Sequence, residues 1–119
     1  MGQLNDKQIK FARLVPRLID KVFELGYAVT LGDAYRDMRC KVPNCPCAQH
    51  YGSEVSLHKQ RLAIDLNLFR KEGTQWVFCP NTEDHKVLGE FWESLDSDCA
   101  WGGRFKDGNH YSLKHEGRK

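Results

Sequence analysis

The sequence predicts an α+β fold, a small and mostly antiparallel sheet with flanking helices. Three observations carry this. Ile9, Ala12, Val15, Ile19 and Val22, joined by Leu18 and Phe23, recur at helical spacing. Residues 62–69 alternate instead: Leu62, Ile64, Leu66 and Leu68 share one face, and Ala63, Asp65, Asn67 and Phe69 the other. A second alternating stretch closes the chain, with Tyr111 and Leu113 directed to the core and His110 and Ser112 to the open face.

Each element has its local signal. Asn5 with Gln8 three residues later reads as a helix cap, and Gly26 as the stop of the same helix. Pro16 should kink that helix or split it. Residues 27–31 read as a strand and Gly32-Asp33 as the turn after it. Residues 38–54, rich in Pro, Cys and Gly, read as a long loop forming one wall of a cleft. Residues 70–74 make a hairpin turn around Gly73, and residues 75–79 a partner strand stopped by Pro80. Thr82 should cap a second helix, with Val87, Leu88, Phe91, Trp92 and Leu95 as its buried stripe. Asp96 and Asp98 end that helix, and His85 and His115 are expected in solvent.

Composition bounds the rest. A length of 119 residues argues a single domain, residues 1–119, with one modest core. Hydrophobic content of 40% and charged content of 29% are ordinary for a globular protein. A net charge of +2 is too small to imply nucleic acid. The first residues open no apolar run, so neither a signal peptide nor a membrane span is expected. Five cysteines, an odd number, favour free thiols made in a reducing compartment. Cys40, Cys45, Cys47 and His50 are close enough for a small structural metal knot, but Cys-Pro-Cys is not a usual zinc-knuckle spacing.

Chemistry gathers in two stretches. His58 precedes the central strand and Asp65 projects from its non-core face beside the small Ala63. Taken alone, such a pair is more often surface or turn residues than metal ligands. Far downstream, Trp101-Gly102-Gly103 opens a turn that leads through Asp107, Gly108 and Asn109 to His110. Two histidines and one aspartate converging from separate elements leave a fourth tetrahedral position open, as catalytic zinc sites do, with Asp107 as a spare carboxylate.

The pattern Ser56-x-His58-(x)4-Ala63-x-Asp65, followed by Trp101-Gly102-Gly103 and Asp107-x-x-His110, resembles the zinc D-Ala-D-Ala carboxypeptidase and L-alanyl-D-glutamate endopeptidase family, peptidase family M15. That family cuts bacterial peptidoglycan peptides and includes many phage endolysins. The resemblance covers roughly residues 27–113 and implies the hedgehog/D-Ala-D-Ala peptidase-like scaffold with a zinc cleft on the sheet. It implies Zn2+ held by His58, Asp65 and His110, Asp107 as catalytic acid/base, and Arg36 of the Tyr35-Arg36 pair as the substrate and oxyanion contact. Two positions depart from the family pattern. Arg61 stands where a Gly is usual, and Ser112 where an acidic residue often follows the last His-aromatic pair.

The expected function is therefore a monomeric zinc metallopeptidase acting on peptidoglycan stem peptides, first as an L-alanyl-D-glutamate endopeptidase of the phage-lysin kind. Made in the host cytoplasm, it would reach the cell wall after release. Terminal D-Ala-D-Ala carboxypeptidase action is the alternative within the same chemistry. A non-catalytic zinc-containing binding module on the same scaffold, as found in signalling proteins, is the alternative outside it. No internal repeat or separate wall-binding module is visible.

Overall fold

A computed structural model of the chain describes residues 3–32 and 61–115. The order is α1 (Gln3–Glu24), β1 (Ala28–Leu31), β2 (Ala63–Glu72), β3 (Gln75–Phe78), a 3-10 turn (Thr82–His85), α2 (Lys86–Leu95), β4 (Cys99–Trp101), a second 3-10 turn (Gly102–Phe105) and β5 (His110–Leu113). Every strand pairing is antiparallel, and the α+β class stands.

β2 is the spine of the sheet. Its 10 residues outlast every neighbour, so it takes several partners in turn. On one edge β1 pairs with it from Ala28↔Phe69 to Leu31↔Leu66. On the other edge β5 takes Ala63, Ile64 and Asp65, while β3 takes Phe69 to Glu72. Between them the edge is bridged by the Leu66 N–H to Asn109 O (2.9 Å) and the Cys79 N–H to Leu68 O (2.8 Å). β4 completes the sheet beyond β5.

The alternation along β2 is realised as expected. Leu62, Ile64, Leu66 and Leu68 are buried, with Tyr111 and Leu113 of β5 beside them, under α1 and α2. Trp92 lies at the centre, edge-on to both Phe11 and Tyr111, and its indole N–H donates to Ser112 O at 3.0 Å. Burying that donor with its acceptor avoids the cost of an unmet polar group.

α1 runs unbroken through Pro16, so of the two expected effects, a kink or a split, the split does not occur. The helix begins at Gln3, which puts Asn5 inside it rather than at its cap. Its buried stripe is Phe11, Leu14, Leu18 and Val22, whereas Ile9 and Phe23 are more than half exposed. Gly26 ends the helix at φ 90°, with its N–H on Phe23 O and the Tyr27 N–H on Val22 O, the double bond of a Schellman cap.

The second helix departs from expectation in three ways. Thr82 opens a 3-10 turn instead of capping α2, because its hydroxyl accepts the Gly108 N–H at 3.2 Å. Val87 is exposed. His85, expected in solvent, is 2% exposed and bonded through Nδ1 to the Tyr111 hydroxyl at 2.7 Å. His115 is buried as well. Asp96 and Asp98 do follow the end of α2, and both hold Lys10 of α1 at 3.1 Å.

Candidate functional site

Asp65 and His110 are register partners across β2 and β5. Partners directly opposite in an antiparallel pair project to the same face, here the face away from the helices. Asp65 Oδ1 lies 3.5 Å from His110 Nδ1. That face is more enclosed than the alternation suggested: His110 is buried, and Ala63, Ser112 and Ala100 beside it are buried too. Asp65 remains partly exposed.

The turn leading to His110 is fixed at several points. After β4 the chain enters the 3-10 turn, and Lys106 closes it in the left-handed region at φ 64°. The Asp107 N–H then donates to Gly102 O at 2.8 Å, and the His110 N–H to Asp107 O at 3.1 Å. A side chain at Gly102 would put its Cβ 2.2 Å from Asp107 O and 2.7 Å from His110 Cβ, so only glycine fits between the two. Trp101 anchors the same turn, its indole N–H donating to Gly108 O at 2.7 Å. Its ring fills the space over Gly89 and Gly103. The Arg104 guanidinium stacks over that ring and pairs with Glu93 at 2.6 Å, which holds the Glu93 carboxyl below its ordinary range.

Asp107 thus sits in a constrained turn three residues ahead of His110, with its side chain exposed. His58 and Arg36 lie outside the described residues, as do Tyr35, Cys40, Cys45, Cys47 and His50. Where the chain leaves toward Arg36, the Gly32 N–H donates to Asp65 O at 2.7 Å. The residue after β1 is therefore bonded to the backbone of the candidate ligand.

The donors present fit a zinc ion. A tetrahedral ion bonded at about 2.0–2.1 Å sets two of its donor atoms about 3.3 Å apart, and one carboxylate oxygen and one imidazole nitrogen stand here at 3.5 Å. Among the described residues no group of three His, Cys, Asp or Glu side chains gathers. Asp65 and His110 could supply two of the donors such an ion needs.

Two residues near the site carry weak signals in the sequence. A histidine in a first helical turn, such as His85, suggests solvent. Yet His85, Leu88 and Trp92 fall at i, i+3 and i+7, a core spacing that could have revealed it. Burial lowers its pKa from the ordinary histidine value, with Asp84 opposing. Lys106 gave no sequence signal beyond its place beside Asp107.

An α+β sheet thus presents an aspartate and a histidine side by side, with a carboxylate in the adjoining turn. The D-alanyl-D-alanine carboxypeptidase profile matches residues 50–113, 64 of the 119, and the chain belongs to that family, peptidase family M15. No curated protein matches the chain. One departure from the family pattern has a backbone consequence. Arg61, where the family pattern has Gly, adopts φ 58°. A non-glycine residue held there carries on the order of 1–2 kcal/mol of strain.

Among the described residues no helix is long and apolar enough to cross a membrane.

Proposed function

We propose that the chain is a zinc peptidase that cuts peptidoglycan stem peptides at the L-alanyl-D-glutamate bond, in the manner of a phage lysin. The observation that supports this most is the Asp65–His110 pair, 3.5 Å apart on one sheet face, with Asp107 three residues ahead of His110. His58, Asp65 and His110 would hold the ion. Bound there, zinc lowers the pKa of a coordinated water and polarises a carbonyl.

The chain's own groups do the rest. Asp107 accepts the proton of the water that attacks the scissile carbonyl, then delivers it to the leaving amine. Its exposed side chain leaves room for substrate to approach. Arg36, with a planar fork of donors, clamps a substrate carboxylate or the developing oxyanion. His110 is buried, and its backbone is held by pairing with β2.

A spare carboxylate speaks for catalysis over a purely structural zinc module, which has no use for one. The test is digestion of purified peptidoglycan, with the new termini identified by mass spectrometry. New L-alanyl carboxyl and D-glutamyl amino termini are expected. Release of D-alanine alone would assign the carboxypeptidase reaction, and absence of any new terminus would leave the binding-module reading.

A further inference from the structure

The edge of β2 changes partner between β5 and β3, and a polar cavity of about 170 Å3 opens at that junction. Asn67, Phe78, Thr82, Lys106, Asp107 and Asn109 stand around it. Asn67 shares a face with Asp65 two residues further along β2, a step of about 7 Å. The cavity has the candidate base, Asp107, in its wall, although neither Asp65 nor His110 lines it. It is smaller than the roughly 300–1,000 Å3 of drug-sized ligand sites, and suits one peptide residue.

Its charge is informative. Asp107 alone would repel an acidic residue entering this space. Lys106, also in the wall, supplies the opposite charge. Its backbone is fixed in the left-handed region by bonds from its N–H to Gly102 O and Gly103 O, so the side chain leaves from a set point. Among the described residues its ammonium pairs with no carboxylate. Asn109 adds an amide at the same wall.

We propose that this cavity is the subsite for the substrate residue that follows the scissile bond, and that Lys106 selects a carboxylate on it. The inference rests on the peptidase reading above. In the L-alanyl-D-glutamate bond the residue after the cut is D-glutamate, whose α-carboxylate is free in some stem peptides and amidated in others. Lys106 pairs with the free acid and balances Asp107. The amidated residue leaves that ammonium without its partner, and a charge left in this way loses affinity.

The experiment compares two soluble stem tripeptides that differ only in a free or amidated D-glutamate α-carboxylate. Wild type should favour the free acid in kcat/KM by about tenfold to a hundredfold, the range of a charge-assisted hydrogen bond. Lys106→Met should bring the ratio close to one, chiefly by raising KM for the free acid, with zinc content little changed. Lys106→Glu should invert the preference. An unchanged ratio in Lys106→Met, with wild type active, overturns the subsite alone. Wild type cleaving neither peptide overturns the peptidase reading and the subsite with it.

Discussion

Asp65 and His110 face each other at 3.5 Å because β2 and β5 are antiparallel and in register at this pair. Strand pairing, rather than a loop, sets their separation. A slip of one residue would carry one of the two to the core face, so the buried row of Leu62, Ile64 and Leu66 also maintains the site.

Chemistry and metal binding should separate at Asp107 and Asp65. Asp107→Asn keeps the side-chain size but cannot take a proton, and loss of a general base costs about 10²–10⁴-fold in rate. Peptidoglycan cleavage should fall by that factor while fold and zinc content persist. On the proposed ligand set, Asp65→Asn should lose zinc together with activity. Circular dichroism, elemental analysis and cleavage rates on both variants decide this; wild-type rates in Asp107→Asn with zinc bound would contradict the assigned role.

The Gly102 contacts predict a coupled defect. Gly102→Ala places a methyl 2.2 Å from Asp107 O and 2.7 Å from His110 Cβ. Overpacking of this kind typically costs about 1–3 kcal/mol, and relief here must move Asp107 or His110. Thermal unfolding should show the destabilisation, and activity should fall beyond what the folded fraction explains.

Stability should decline as the solution is acidified, in part through His85. Burial lowers its pKa below the ordinary histidine value of 6.5. A neutral His85 bonded to Tyr111 therefore contributes stability that is full above about pH 6.5 and is lost as pH falls through the lower folded-state value. Denaturant midpoints measured from pH 8 to pH 5 should drop at the acid end, and His85→Gln should flatten the slope in that window. An identical slope in the variant would remove His85 from the cause.

Much of this was legible in residue patterns, but unevenly. The alternation of residues 62–69 predicted which side of β2 is buried, because a period of two leaves only two choices. The helix stripe was rotated. α1 carries more apolar residues than one face can bury, and contact with Trp92 selects the row containing Phe11 rather than Ile9. Thr82 was read as a cap because local rules favour one, whereas its hydroxyl answers a distant N–H at Gly108. His85 and His115 were misplaced for a related reason: polarity suggests exposure until a partner such as Tyr111 is known. The site residues Asp65, Asp107 and His110 were visible as a motif, but the pairing of Asp65 with His110 depends on a register between strands far apart in sequence.

The most direct measurement of the central claim is zinc content per chain, by elemental analysis of wild type and of His110→Ala purified alike. The Asp65–His110 geometry, with His58 as third ligand, predicts about one zinc per wild-type chain and a large loss in the variant. Equal zinc in both proteins, or none in wild type supplied with the metal, would contradict it and leave Asp65 and His110 as a simple ion pair.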